Sequence, residues 1–487
     1  MTDRYLDAAA DCTKATDLDP AYVKAWVRLG TAYDHLAESA NSLDSYEKAL
    51  AALPKENLTP TDLKLREQAQ AGAKAAKERL EPKSQKVHHV VALPPAQGKL
   101  PWDRAEGLVN ERLAKYGHTM ECANSSAWSM YRAYTQWKEG VDGMKQMKEI
   151  KGPQAGMFVR IGVIENLSNA ILQDDRVFHV EGQPFIDLYN KQAAAESMQT
   201  GAWAHAGPQQ IFTEALEMQR TKGWDAVKQA LSTTVRAYIM RGFMETGLRG
   251  RADVGVEFIG KAIEIIEWGR QVWRNVRKED RGVIFEETFL RGVQSLHLET
   301  YMKAYEEHPG LDAKYSLEEL LQHAQDILKG LDGQAYINDV DPGFFLGFFV
   351  YPKARALAMV GFYHAQMAQY VDNNDHAAVI KHRKLAAAAY HTAGIAYPPD
   401  DENHAWYLRC SLNYMYISGT PVREILKTTE AIRNAIPEMK KLWEYSSLAM
   451  GGRDQKLEQT RQEEQRLRAG LRGGSITMDT LLMNGPP

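Results

Sequence analysis

Between Ala21 and Pro54, apolar and small side chains recur at three- to four-residue intervals in two runs, with polar residues between them. That period gives each run one face of a helix. Trp26, Leu29, Gly30 and Tyr33 mark the first run and Tyr46 and Ala49 the second; Pro54 ends it, because proline cannot continue a helix. The pattern predicts two antiparallel helices in one 34-residue unit. Small residues at Gly30 and Ala49 let the helices approach closely, and Trp26, Tyr33 and Tyr46 fill the space around them. One period earlier, Ala8, Cys12, Ala15 and Pro20 take the places of the second run, so the chain is expected to open in the middle of a repeat. A third helix is expected from Leu58-Thr59-Pro60-Thr61 to about Leu80, with Thr59 or Thr61 as its cap, covering the open end of the module.

Residues 81–101 carry four prolines around a short VHHVVAL run and read as a linker. Helices are predicted over 103–116, 120–139, 155–173, 183–199 and 208–222, broken by Lys151-Gly152-Pro153 and Ala206-Gly207-Pro208. The second of these carries Trp128, Tyr131, Tyr134 and Trp137 at three-residue spacing, a stripe expected to face a core. Residues 224–330 regain repeat character. Ala237-Tyr238 with Arg241-Gly242 reads as a first helix, and Gly255, Phe258, Ala262 and Ile263 as its partner. Glu287 to Tyr305 is another first helix, and Ser316-Leu317-Glu318-Glu319 is a capping box that opens the next. Ala386, Tyr390, Ala393 and Pro398 repeat the small–aromatic–small–Pro spacing, and Ala405-Trp406 begins a further helix. From Pro421 another runs to about Asn434, with Pro437 expected to interrupt the helical run beyond it. Phe344–Tyr351 is the most apolar run; at eight residues it is too short to span a membrane and is expected to pack internally. Residues 452–472 are charged on nearly all sides and expected to stand in solvent, and 473–487 are expected to be disordered.

The spacing from Trp26 to Pro54 resembles the tetratricopeptide repeat family. Tyr22-Val23-Lys24-Ala25-Trp26-Val27-Arg28 is similar to the third repeat of co-chaperones that hold the C-terminal peptide of heat-shock chaperones. In that branch a Lys and an Arg, four apart on the first helix, grip peptide carboxylates; Lys24 and Arg28 match both types at that spacing. Such a pair shares one helix face. The resemblance spans about residues 3–80. The branch's other clamp residues, a Lys and two Asn, belong to the first helices of two earlier repeats, so a shortened start is expected. The resemblance implies an all-α fold, a tetratricopeptide-like helical-hairpin solenoid wound as a right-handed superhelix in two modules. The expected divisions are a repeat module over 1–80, the linker at 81–101, a helical array over 102–450, the charged helix at 451–472 and the tail at 473–487.

Composition narrows the function. The 487 residues carry a net charge of −4, with no basic field of the kind that bulk nucleic-acid binding needs. Cys12, Cys122 and Cys410 are widely spaced and form no CxxC, which suits a reducing compartment, the cytoplasm. GxGxxG, GxxxxGK[ST], HExxH and GxSxG are absent. The catalytic alternative is an all-helical enzyme holding Mg²⁺ on paired acids. Asp174-Asp175 and Asp400-Asp401-Glu402 are the available sets, but Phe178 and His404 stand where a further acid is needed. His364, His376, His382, His391 and His404 cluster in sequence without the i,i+4 spacing of a helical metal site, and His88-His89 diverge, so no metal or cofactor is expected. The expected function is a non-enzymatic adaptor or scaffold without membrane or nucleic-acid contact. Its groove would take a protein or peptide partner, a heat-shock chaperone C-terminus by resemblance. A scaffold whose groove is filled by its own linker is the second reading.

Overall fold

The computed structural model describes residues 4–80, 98–150, 156–180, 185–204, 206–332, 340–372, 374–483 and 485. Most of the predicted linker, with His88 and His89, lies outside the described residues. In chain order the long helices are α1 (Tyr5–Leu18), α2 (Val23–His35), α3 (Ser39–Ala52), α4 (Pro60–Leu80), α5 (Pro101–Tyr116), α6 (Ser126–Lys145), α7 (Val163–Gln173), α8 (Phe185–Thr200) and α9 (Pro208–Lys222). They continue with α10 (Trp224–Arg249), α11 (Ala252–Val272), α12 (Glu287–Glu307), α13 (Leu317–Leu331), α14 (Tyr351–Tyr370), α15 (His376–Ala396), α16 (Glu402–Met415), α17 (Val422–Trp443) and α18 (Arg453–Arg472). Strand is confined, among the described residues, to two short antiparallel ladders. One pairs β1 (Lys148–Ile150) with β2 (Gly156–Phe158), the other β3 (Thr420–Pro421) with β4 (Leu481–Leu482).

The fold is all-α, and helices adjacent in sequence pack together as hairpins. The described chain forms two compact units. The first comprises residues 1–90, 147–165 and 187–286, and the second 91–146, 166–186 and 287–487. The array expected over 102–450 is therefore shared between them, and α9 to α11 belong with the N-terminal hairpins. Charge explains part of that grouping. Arg4, just before α1, reaches Glu264 of α11 at 3.0 Å, and Lys261 reaches both Glu264 at 3.0 Å and Asp7 of α1 at 3.4 Å. Arg241 and Arg251 donate to the carbonyls of Leu36 and His35 at the end of α2, where cations favour the helix dipole.

The first unit's N-terminal core is a ring held between two glycines. Tyr46 of α3 lies against Gly30 of α2, where a methyl group would sit 2.7 Å from the ring. Gly72 of α4 leaves still less room on the same ring. Val27, Ala49 and Ala69 close around it. The Tyr46 hydroxyl donates to Asp34 at 2.9 Å, and Arg79 of α4 binds the same carboxylate. One aromatic thus ties three helices, which is why a small–large–small spacing specifies the hairpin.

In the second unit the hairpins run α14–α15–α16–α17. Helix Pro342–Tyr370, 29 residues with mean hydropathy 1.2, is long and apolar enough to cross a membrane, but 61% of its most apolar window is buried, as in a core helix. The Trp128–Trp137 stripe is divided: Trp137 is fully buried against Phe178 and Phe185, whereas Trp128 packs beside Leu346 and Tyr351. The predicted helix over 120–139 starts instead at Ser126, where Ser125 caps it after a single turn at Met120–Ala123. The helix predicted over 155–173 starts at Val163, its first residues being taken by β2.

Three expectations from the C-terminal third change. Helix α17 passes through Pro437 to Trp443; the hydrogen bond that proline forfeits is outweighed by burial of Met439, Leu442 and Trp443 beyond it. Helix α18 is not solvated all round. Leu457, Thr460, Glu464 and Leu467 form a narrow buried stripe, with Glu463 bound by Arg409 at 3.2 Å and Glu464 by Arg433 at 3.3 Å. The segment after α18 is ordered through Met483. Gly419 donates to the Leu482 carbonyl at 2.9 Å, and Val422 and Arg423 donate to those of Thr480 and Met478 at 3.0 Å each.

The Tyr46 wedge sets a stability test. Gly72→Ala should lower the unfolding free energy by about 1–3 kcal/mol through overpacking. Gly247→Ala, in α10 with nothing within 4 Å of the added methyl, should raise it by about 0.5–1 kcal/mol. Urea midpoints of the two variants moving together would show that the wedge is not a constraint.

Candidate functional site

Lys24 and Arg28 sit on the first two turns of α2, and both are exposed. The alternate face of the same turns carries Ala25, Val27 and Leu29, all buried, so the helix period itself drives the two cations outward. Among the described residues neither has an ion-pair or hydrogen-bond partner. Arg28 also reaches electrostatically toward α1. Burial raises the Cys12 thiol above its ordinary value, and the nearby Arg28 charge partly offsets that rise. The pair therefore borders the α1–α2 hairpin at the end of α2 remote from Arg241 and Arg251. In this geometry it could receive carboxylates, as exposed cations one turn apart do.

The same unit contains a cavity of about 420 Å³ lined by parts of α7, α8, α10 and the turn at Gly282–Ile284. Ile161, Ile164, Val283 and Ile284 supply apolar wall. Arg236 is buried beside it and bonds Glu165 at 3.0 Å and Ser232 at 3.2 Å. Glu196 accepts from the backbone N–H groups of Gly162, Val163 and Ile164 at 3.0–3.3 Å, capping α7, while burial holds its carboxyl above the usual range. The cavity's charges are thus largely committed to the fold. No sequence signal marks it, because its walls come from four separated segments.

The acid pairs considered for a magnesium site do converge, in the second unit, but on arginine. Arg176 grips Asp401 with two bonds, at 2.9 and 3.0 Å, and Asp174 with two more, at 2.9 and 2.8 Å. Its guanidinium lies 3.8 Å from the Trp443 ring centre. Tyr351 donates to Asp401 at 2.8 Å, and the Asn403 N–H does so at 2.9 Å. Arg453 holds Glu402 at 2.7 Å, Arg355 holds Glu299 at 2.8 Å and also Asp175, and Asp400 accepts from the Ser126 N–H at 2.9 Å and from the Ser125 hydroxyl. No grouping of three or more His, Cys, Asp or Glu suited to a metal occurs among the described residues.

These carboxylates differ in their titration. Burial pushes Asp401 up, but Arg176 and the donors from Asn403 and Tyr351 overcome it and hold the group below its ordinary value. At Asp174 burial wins over the same Arg176, because fewer donors help, and the carboxyl is raised. Burial also raises Glu402 and Asp400. The acids serve as caps and partners of buried arginines.

The histidine cluster is likewise divided by the fold. His404 bonds the Gly394 carbonyl through Nδ1 at 2.8 Å. His364 and His382, eighteen apart in sequence, meet across the α14–α15 hairpin with their Nδ1 atoms 3.1 Å apart. The i,i+4 rule misses such a pair; its signal is near-equal distance from the hairpin turn, since His364 precedes the end of α14 by six residues and His382 follows the start of α15 by six.

No family model matches the chain, and no curated protein matches it. Among solved structures, the crystal structure of yeast Tom70 is similar to it, with 13% identity over 92% of this chain and 85% of that chain at a TM-score of 0.24. A TM-score that low carries no argument about function.

Removing the shared cation isolates the role of the buried acids. Arg176→Met should cost about 3–5 kcal/mol, since two carboxylates stay buried without their partner. Asp401 is depressed in the fold, so its contribution is present above the unfolded value of about 3.9 and is lost as pH falls through the lower folded value. The stability difference between wild type and Asp401→Asn should accordingly shrink as pH drops below about 4 in denaturant titrations; a difference that stays constant would sink the assignment.

Proposed function

We propose that the protein is a non-catalytic adaptor whose N-terminal hairpins hold an acidic peptide tail of another protein, with Lys24 and Arg28 as the carboxylate grips. The observation that carries this reading is the exposed cation pair on one face of α2 with no counter-carboxylate among the described residues. A carboxylate set between the two gains charge-assisted hydrogen bonds, and the planar fork of Arg28 can hold it by two at once. The hairpin beneath is rigid, because the Tyr46 wedge locks α2, α3 and α4 together, so little ordering cost falls on the protein when it binds. The C-terminal peptide of a heat-shock chaperone is the occupant that the resemblance at Tyr22–Arg28 suggests. The three cysteines are all free, which supports a reducing, cytoplasmic setting.

The test uses the full chain and fluorescent peptides that end in two acids. Wild type should bind the free-acid peptide more tightly than the C-terminal amide. Lys24→Ala with Arg28→Ala should weaken binding about tenfold or more, as expected for loss of hydrogen bonds between charged groups. Binding should also fall with added salt. Equal affinity of wild type and the double variant, with both folded by circular dichroism, would remove the cation pair from the site.

A further inference from the structure

We propose that His364 and His382 form a two-imidazole site for a divalent transition-metal ion, clipping α14 to α15. Neither residue belongs to the cation pair or the cavity of the first unit, so the proposal does not rest on the peptide-binding reading. The separation of 3.1 Å between the two Nδ1 atoms is the observation that points to it. An ion placed at the usual metal–nitrogen distance of about 2.05 Å from both would subtend an angle of about 98° between them. That value falls between the right angle of tetragonal copper or nickel and the wider tetrahedral angle of zinc. The ring planes are inclined by 54°, with centroids 5.2 Å apart, so the rings approach edge to edge rather than stacking, and two nitrogen lone pairs can converge on one point.

The surroundings favour the neutral imidazoles that a metal needs. Burial, the neighbouring ring and the Lys381 charge hold His364 below its ordinary value, and burial with Lys381 does the same for His382. Both side chains are only half-buried, so an ion has a path from solvent and water can complete its coordination. Lys381 is exposed, and solvent screens its opposition to a cation. The backbone scaffold is firm. Ala365 and Ala386 lie in one core cluster with Tyr390, and Gly361 allows the Tyr390 ring against α14. Without metal the two nitrogens can share only one proton between them, as donor and acceptor. With metal both become ligands at almost the same separation, so little rearrangement is required.

The experiment titrates the full chain with ZnCl₂, NiCl₂ or CuCl₂ alone at pH 7.5, by calorimetry and by thermal unfolding. One equivalent should bind, and saturating metal should raise the unfolding temperature. His364→Gln and His382→Gln should each weaken that equivalent at least tenfold and abolish the thermal shift. His376→Gln, an exposed histidine on the same helix α15, should change neither. Electron paramagnetic resonance of the copper-loaded protein gives a readout that does not depend on variant stability: wild type should show superhyperfine splitting from two equivalent imidazole nitrogens. Binding that is unchanged in both variants, splitting from a single nitrogen, or no binding equivalent beyond that retained when His364→Gln and His382→Gln are combined would each overturn the proposal.

Discussion

A guanidinium set among packed helices needs carboxylate partners, and Arg176 meets that demand by drawing Asp174 and Asp401 to one point. The consequence spreads through the second unit. Asp401 caps α16, Glu402 beside it is tied to Arg453 at the start of α18, and Asp400 on its other side receives the start of α6. Trp443 at the end of α17 covers the Arg176 face and donates to Ser126 at 3.0 Å. Four helix termini therefore meet around one run of three acids. Helix ends carry unsatisfied backbone groups wherever they are buried, and charged side chains satisfy several of them at once. A buried ion pair contributes little net stability, but it tolerates few alternative arrangements, since any other packing strands a charge.

The first unit is organised by shape. Its N-terminal hairpins turn on the Tyr46 ring between two glycines, and charge enters at the margins, where Arg4 and Lys261 tie α1 to α11 and Arg241 and Arg251 meet the end of α2. Because shape rather than ion pairing sets the core, cations on the outer face of α2 remain available. Lys24 and Arg28 project from turns whose inner side is filled by Ala25, Val27 and Leu29.

The contrast explains what can be read from the sequence. Local packing rules are short-range, and the spacing of Gly30, Tyr46, Ala49 and Pro54 is enough to place the first hairpins and the exposed pair on α2. Helix α9 begins and ends where its Gly-Pro start and Gly223 imply. The buried network is not legible, because Asp174 and Asp401 are 227 positions apart and nothing in either neighbourhood names the other. The acids are visible in the sequence; the arginine that joins them is not. The same limit applies to α18. Its composition looks fully polar, yet Glu463 and Glu464 are buried because Arg409 and Arg433 reach them from other helices. Pro437 fails as a helix stop for a related reason, since the burial that carries α17 past it comes from outside the helix.

Converging acids are ambiguous until their partners are seen. Around Arg176 the acids have become joints between helices, and their oxygen atoms are spent on guanidinium groups, hydroxyls and helix N–H groups. On α2 the relation is inverted, because the charges are exposed and unspent, and a ligand's carboxylates would be answered there instead of the fold's own. Whether a charged group's hydrogen-bonding capacity has already been consumed depends on long-range contacts rather than on residue type, and by that measure the cations of α2 differ from the acids around Arg176. The same criterion singles out the histidine pair on α14 and α15. The buried charges around Arg176 find oppositely charged partners, whereas these two rings find each other: one Nδ1–H donates to the other ring's Nδ1 lone pair, a contact that a metal ion taking the place of the shared proton would convert into two ligand bonds.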